Sequence, residues 1–140
     1  MAVQVPMDEL EAAYQAWHDS KGKNHDAWLS LASERIQLRS VSHEGGGLSF
    51  ARARHSRDEF VDYMTSLIKD WQMVYFFPKT FVRERNRVAM FGVCSYVNRA
   101  TGKTFEGLVS HLWRFRDGKA IELIELFDSA RVVVAATPDT

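Results

Sequence analysis

Two polar side chains stand in rows of apolar residues near the end of the chain, and both are of types that transfer protons. Between residues 103 and 117 the side chains alternate with a period of two, which is typical of a β-strand. One face of that strand reads Phe105, Gly107, Val109, His111, Trp113 and Phe115. The next strand places Glu125 on a row with Ile121, Leu123 and Phe127. If both rows face the interior, His111 and Glu125 share one pocket.

The chemistry of such a pair would be general acid–base catalysis. An imidazole inside an apolar pocket accepts or donates a proton near neutral pH, and a desolvated carboxylate becomes a usable acid or base. Each residue also has a structural interpretation. His111 could be a core histidine bound to a backbone carbonyl, and Glu125 could be solvated on a twisted strand. The residues alone leave both interpretations open.

Large apolar side chains elsewhere could line the same pocket. The predicted lining consists of Trp17, Tyr63, Trp71, Phe91, Val93, Val109, Trp113 and Phe127. Their number suits a small apolar ligand, aromatic or polycyclic in character. A basic cluster comprises Arg52, Arg54, His55 and Arg57. It is interpreted as a solvated loop, with a site for an acidic ligand tail or a phosphate as the alternative.

Helical spacing comes first along the chain and strand alternation later. The predicted elements are a helix over 8–20, a short helix over 25–32, a strand over 35–41, a helix over about 57–70, an extended segment over 73–85 and a three-stranded meander from 88 to 128. Ser56 and Glu59 form a capping box for the third helix, and Pro78 predicts a bulge or an edge position. Residues 1–7 and 132–140 are expected to be loose ends, with a little strand at 132–134. The order predicts one α+β domain over 1–140, with three helices from the N-terminal half on a curved, mainly antiparallel sheet.

Composition excludes several functional classes. The chain has 140 residues with 18 basic and 18 acidic side chains, so no overall field attracts nucleic acid or a membrane surface. No apolar run reaches the roughly 20 residues of a membrane span. Cys94 is the single cysteine, which together with the missing secretory signal predicts a cytoplasmic protein. No nucleotide fingerprint is present, and neither the pair His18 and His25 nor the pair His43 and Glu44 has metal-ligand spacing. We therefore expect no cofactor and no metal.

Several segments resemble the nuclear transport factor 2-like superfamily, the cone-shaped fold of ketosteroid isomerase, scytalone dehydratase and SnoaL-like polyketide cyclases. They are the run from Tyr14 to Asp19, the short helix, the strand over 35–41, and the segment from Trp113 to Lys119 followed by 121–128. The resemblance covers about residues 8–131. It implies a deep apolar pocket between the helices and the sheet, and it specifies the fold better than the chemistry.

The resemblance also implies roles for particular residues. Tyr14 matches the helix-1 tyrosine that donates a hydrogen bond to a substrate oxyanion in the isomerases. His111 matches the strand position of their protonated aspartate, although Ser110 aligns when the hairpin is counted without a gap. Asp19 matches an aspartate that pairs with a histidine in dehydratase-like members. The segment from Ser40 to His43 has no carboxylate where the isomerases keep their base, which argues against steroid isomerisation by that mechanism.

Two hypotheses follow for function. The first is a cofactor-independent lyase, isomerase or cyclase acting on an apolar substrate with a carbonyl or hydroxyl group. His111 would transfer a proton and would be oriented by Asp19. Tyr14 would stabilise the negative charge that develops on the substrate oxygen, and Glu125 would be the second acid or base. The second is a non-catalytic ligand-binding or dimerisation module of the same fold.

The strand over 88–97 is apolar on both faces, which predicts that a partner covers one of them. The residues expected on the covered outer face are Met90, Cys94 and Tyr96, continued by Leu108, Leu112, Ile124 and Leu126. An open row of this size exceeds what monomers usually expose. The expected partner is a second copy of the chain, in a two-fold homodimer.

Overall fold

The computed structural model describes residues 5–41 and 47–140, and it shows helices packed on a five-stranded curved sheet. The helices are α1 Met7–Asp19, α2 Asp26–Leu31, α3 Arg57–Asp70 and α4 Ser129–Ala136. The strands are β1 Ala32–Arg39, β2 Trp71–Glu84, β3 Arg87–Asn98, β4 Thr104–Arg116 and β5 Lys119–Phe127. Their order is β1-β5-β4-β3-β2, antiparallel except where β1 runs parallel to β5. The α+β prediction is confirmed. Within the described ranges, no helix is both long and apolar enough to cross a bilayer.

Local signals account for α3 and for the shape of β2. The Ser56 hydroxyl accepts the backbone N–H of Glu59 at 3.1 Å, and the Glu59 carboxylate accepts the N–H of His55 at 3.0 Å. The first bond satisfies a donor that the first helical turn leaves free, and the second holds the residue before the cap. Pro78 lies on an edge strand and beside a register shift in the β2–β3 ladder, so both predicted features of this proline occur together.

The C-terminal segment differs from the prediction, because α4 replaces the expected strand and loose end. The Asp128 carboxylate accepts the backbone N–H of Arg131 at 3.2 Å and caps the helix. Val132 and Ala135, three residues apart, are both buried. Burial of one helical face outweighs the weaker helix propensity of the valine run. Of the other expected loose end, residues 1–4 lie outside the described residues, and Met7 already belongs to α1.

Candidate active site

A bulge in β5 sets Glu125 beside His111. The turn at Asp117 and Gly118, with φ of 51° and 77°, joins β4 to β5. Phe115 then pairs with Ala120 while Arg114 pairs with Glu122, so Ile121 is the extra residue. A shift of one residue exchanges the two faces of a strand. Beyond this bulge, His111 and Glu125 are direct cross-strand partners on the buried face.

Five buried side chains are joined by consecutive hydrogen bonds. We call this series the relay, and its members in order are Trp113, Tyr14, His111, Glu125 and Tyr63. The Trp113 indole N–H donates to the Tyr14 hydroxyl at 2.8 Å, and that hydroxyl lies 2.5 Å from His111 Nδ1. On the other side of the ring, His111 Nε2 lies 2.7 Å from Glu125 Oε2. The Tyr63 hydroxyl donates to Glu125 Oε1 at 2.8 Å. The relay thus links α1, α3, β4 and β5 through the interior.

The donors and acceptors of the relay fix the position of each proton. An indole can only donate, so the Tyr14 proton is left to point at Nδ1 of His111. Burial raises the pKa of Tyr14 well above its ordinary value, the Trp113 bond lowers it by less, and the Glu125 charge raises it slightly further. Tyr14 therefore keeps its proton. His111 then accepts at Nδ1 and donates the hydrogen on Nε2 to Glu125, which leaves every proton in the relay with an acceptor.

Aromatic packing holds the relay in place. The Tyr14 ring meets Trp28 edge-on at 4.9 Å between centroids and stacks on Phe76 at 5.8 Å. Tyr14 reaches this position because it lies on the buried face of α1, together with Leu10, Ala13 and Trp17. Edge and stacked arrangements of this kind favour one ring orientation. The hydroxyl of Tyr14 is therefore directed at His111 by the packing around its ring.

Two small cavities adjoin the relay and share four wall residues, Tyr63, Phe76, Tyr96 and Glu125. The first, called the apolar cavity, has a volume of about 40 Å³ and is completed by Phe50, Leu67, Trp71, Cys94, Phe105, Val109, Phe127 and Val132. The second, called the relay cavity, has a volume of about 20 Å³ and is completed by Trp17, Trp28, Phe60, Met64, His111, Trp113 and Leu123. At about 10–15 Å³ for one water, the apolar cavity holds only a few waters. A ligand of the predicted polycyclic size requires its walls to move.

The predicted lining residues divide between the two faces of the sheet. Trp17, Tyr63, Trp71, Val109, Trp113 and Phe127 each line a cavity. Phe91 and Val93 do not, because they lie on the outer face opposite Ser110 and Leu108, and Phe91 is 52% exposed. The predicted assignment of the faces of β3 is therefore wrong. Met90 pairs with His111, and Met90, Cys94 and Tyr96 are buried inside.

Three of the four predicted catalytic residues come together and the fourth does not. Tyr14, His111 and Glu125 are bonded within the relay, whereas Asp19 is exposed at the end of α1 and accepts the Gln15 amide at 2.8 Å. The expected pair between Asp19 and His111 is wrong, because Tyr14 and Glu125 occupy both ring nitrogens. His111 lines the relay cavity, whereas Ser110 lines neither of the two cavities described above, which favours His111 over Ser110.

Tyr96 and Cys94 are wall residues that the sequence analysis assigned to the outer face. A signal existed, because the turn at residues 99–102 pairs Tyr96 with Phe105 and Cys94 with Gly107, on the row of His111. Burial, with a smaller contribution from the Glu125 charge, raises the pKa of the Cys94 thiol to about 12. The thiol stays protonated at neutral pH and is a poor nucleophile.

Arg54 also differs from the prediction of a solvated loop, because it is only 3% exposed. Its guanidinium bonds the Asp62 carboxylate at 2.9 Å and the carbonyl oxygen of Phe50 at 3.2 Å. It therefore holds the 3-10 turn Ser49–Ala51, whose Phe50 lines the apolar cavity. The predicted basic cluster thus contains a buried structural residue.

His43 and Glu44 lie outside the described residues. Within residues 5–41 and 47–140, no three His, Cys, Asp or Glu side chains are grouped so that they could hold a metal ion.

Solved structures with the same fold cover nearly the whole chain. An NTF2-like protein from Burkholderia thailandensis is 25% identical, with a TM-score of 0.81, 96% of this chain covered and 99% of that one. TerC, co-crystallised with polyporic acid, is 18% identical, with a TM-score of 0.80 and coverage of 93% and 96%. A candidate polyketide cyclase from Xanthomonas campestris is 15% identical, with a TM-score of 0.70 and coverage of 94% and 96%.

No curated protein matches the sequence. The SnoaL-like domain family matches residues 10–123, most of the chain. That stretch runs from the first buried residue of α1 into β5 and contains Tyr14, Tyr63, His111 and Trp113 of the relay. By this match and by its fold, the chain belongs to the SnoaL-like domain family of the NTF2-like superfamily.

Proposed function

We propose that this protein is a cofactor-independent lyase, isomerase or cyclase that uses general acid–base chemistry on a small apolar molecule with a carbonyl or hydroxyl group. The observation that carries the proposal is the position of Glu125, a carboxylate in the wall of both cavities and bonded to His111 behind it. A buried, hydrogen-bonded acid–base group at an apolar cavity is a recurrent feature of active sites. The likeness to a candidate polyketide cyclase and to a protein that bound polyporic acid supports the same class.

The relay assigns different roles from those expected from the sequence. Glu125 reaches both cavities, so it is the group that exchanges a proton with the substrate. His111 donates from Nε2 to Glu125 and accepts from Tyr14, so it orients the carboxylate and responds to its change of charge. Tyr14 lines neither cavity, and its proton is bonded to His111. It therefore acts through the histidine and does not touch the substrate.

The proposed step is proton transfer next to a carbonyl. Glu125 removes a proton from the adjacent carbon, the electron pair of that C–H bond forms a C=C bond, and the carbonyl oxygen takes up the negative charge. Return of the proton to another carbon completes an isomerisation, and attack of the carbon on a second carbonyl completes a cyclisation. The apolar walls exclude water and thereby strengthen the interactions that stabilise this charge.

The test is exchange of hydrogen for deuterium in acetophenone, whose methyl protons are adjacent to its carbonyl. Wild-type protein in deuterated buffer is expected to accelerate the exchange, as followed by mass spectrometry. Glu125→Gln should slow it by about 100-fold or more, the usual contribution of a general base. The matched control is Glu106→Gln, which alters an exposed carboxylate on the outer face.

If the wild-type protein accelerates exchange of neither acetophenone nor other enolisable ketones, the catalytic proposal fails. The alternative, a ligand-binding or dimerisation module, would then account for the fold. Mass spectrometry of any ligand that co-purifies with the protein would identify what the module binds.

We also propose that two copies pair through the outer face of the sheet. The exposed apolar residues on that face are Phe77, Val82, Phe91, Leu108, Leu112 and Leu126. The row predicted on β4 and β5 is retained, while Phe91 and Val93 replace Met90, Cys94 and Tyr96 on β3. A contiguous apolar surface spread over four strands is typical of an interface.

A further inference from the structure

We infer that Tyr96 is a further catalytic residue of this site, the hydroxyl that donates a hydrogen bond to the substrate oxygen while Glu125 removes a proton. This inference rests on the proposed function. It assigns the stabilisation of the oxyanion to a residue on β3, whereas the resemblance to the isomerases had assigned it to Tyr14 on α1.

The position of Tyr96 satisfies the geometric requirement. Its side chain is buried on the inner face of β3 and forms part of the wall of both cavities, as Glu125 does. A molecule in either cavity therefore lies against both residues. Tyr14, in contrast, is fully buried behind His111 and reaches neither cavity.

The hydrogen bonds of the buried tyrosines distinguish Tyr96 from the others. Tyr63 donates its proton to Glu125, and the Tyr14 proton is directed at His111. The side chain of Trp17, a wall residue of the relay cavity, is a neighbour of the Tyr96 phenol. An indole has no acceptor to offer, and in the described part of the chain no acceptor receives the Tyr96 proton. That proton is therefore available to a ligand.

The surroundings of Tyr96 keep it in the donating form. Burial raises its pKa well above the ordinary value, the neighbouring Cys94 and Glu125 raise it further, and Trp17 lowers it by less. Tyr96 is thus a protonated phenol at neutral pH.

In the resulting step the Tyr96 proton remains on its oxygen. Glu125 gains the proton of the C–H bond, the electron pair of that bond forms the C=C bond, and the carbonyl oxygen becomes an enolate oxygen. The Tyr96 O–H bonds more strongly to this oxygen as its charge develops. A donor of this type commonly accelerates such a step by about 100- to 1,000-fold.

The experiment uses acetophenone labelled with ¹³C at the carbonyl and measures the carbonyl stretch of the bound molecule by difference infrared spectroscopy. Donation by Tyr96 lowers the stretching frequency, so the wild-type protein should show a band below that of the ketone in an apolar solvent. Tyr96→Phe should abolish this lowering. Tyr75→Phe, which alters a tyrosine on the outer face, should retain it.

Glu125→Gln separates this inference from the proposed function. It should retain the lowered carbonyl band while losing deuterium exchange, whereas Tyr96→Phe should lose the band and slow the exchange by about 100-fold. The Trp17→Phe protein lacks the indole N–H but keeps the Tyr96 phenol, so its bound acetophenone should still show the lowered carbonyl frequency. A wild-type band at the apolar-solvent position, or a lowered band in a folded Tyr96→Phe protein, would overturn the assignment of Tyr96. Loss of deuterium exchange alone would not overturn this assignment.

Discussion

Two tyrosine–glutamate hydrogen bonds lie on opposite faces of the same sheet. Inside, Tyr63 donates to Glu125 at 2.8 Å, and outside, Tyr75 donates to Glu106 at 2.6 Å. The donor, the acceptor and the length are nearly the same, but Glu125 is 6% exposed while Glu106 is exposed to solvent. The outer carboxylate can replace its tyrosine with water. The inner one depends on protein donors, because an unpaired buried charge is costly.

The two faces of the sheet differ from the usual pattern, in which apolar side chains lie inside and polar side chains lie outside. The inner face holds polar groups that are joined in the relay, and the outer face holds large apolar side chains without cover, such as Leu108 at 77% exposure. Neither arrangement favours the stability of an isolated domain, because buried polar groups and exposed apolar side chains are both unfavourable in free energy. The inner face is explained by acid–base chemistry and the outer face by association with another copy, and both explanations are the proposals made above.

The largest effect is expected from removing the two carboxylates in turn. Glu125→Ala leaves a His111 N–H and a Tyr63 hydroxyl unpaired in the interior, which should lower the free energy of unfolding by about 3 kcal/mol. Glu106→Ala should lower it by no more than about 0.5 kcal/mol, since water takes the place of the carboxylate. Urea denaturation of the three proteins measures both values. Equal losses for the two variants would contradict the distinction between the faces.

A smaller effect is expected at alkaline pH. All four tyrosines have raised pKa values, and burial is the main cause for Tyr14, Tyr63 and Tyr96. For Tyr75 the main cause is its bond to Glu106, which raises the pKa to about 12. The folded protein therefore binds more protons than the unfolded chain above the ordinary value of 10.0. Stability from the tyrosines should be complete below about pH 10 and should fall above it, with a slope of about 1.4 kcal/mol per pH unit for each buried tyrosine.

Denaturation in urea at successive pH values between about 8 and 11.5 tests the alkaline prediction. Tyr63→Phe should make the fall shallower, because one of the buried groups no longer titrates. Tyr75→Phe is the matched change on the outer face and should make the fall shallower by less, because solvent screens the bond between Tyr75 and Glu106. A stability that stays level beyond pH 11 would show that the buried tyrosines ionise without unfolding, in conflict with their environment.

The smallest effect on the fold itself is expected on the outer face. Leu112 is 38% exposed and lies beside Ala89 and Ile124. Leu112→Glu should leave the folded monomer within about 0.5 kcal/mol of wild type while releasing it from the dimer on a sizing column. Val109→Glu, on the buried face of the same strand, should prevent folding. A wild-type protein that sediments as a monomer at micromolar concentration would end the homodimer proposal.

Strong local signals located most of the fold in advance. Helix α3 was placed at its observed limits because Ser56 caps it and its buried residues follow helical spacing. The Asp117-Gly118 turn was located because glycine and aspartate tolerate positive φ. The segment after Asp128 was missed, since three consecutive valines favour a strand until packing buries Val132 on one helical face.

The alternation of residues in β4 and β5 identified His111 and Glu125 as inward polar groups, and the resemblance to a known superfamily added Tyr14. Their mutual bonding was beyond local sequence. It depends on one extra residue at Ile121 and on the ring packing of Tyr14, which are long-range properties of the folded chain. Asp19 had a matching position but sits at the exposed end of α1, and no sequence pattern distinguishes it from a buried acid.

The sequence by itself determined the α+β class, the element types before Asp128 and which residues share a row within β3 and β4, because these depend on local propensity and period. The hydrophobic pattern did not decide which row of β3 faces inward, and the strand pairing in the folded sheet did. Both rows of that strand are apolar, so hydrophobicity favours neither, and the ladder that pairs Met90 with His111 makes the choice. That single register moves Phe91 to the surface and brings Tyr96 to the cavities beside Glu125.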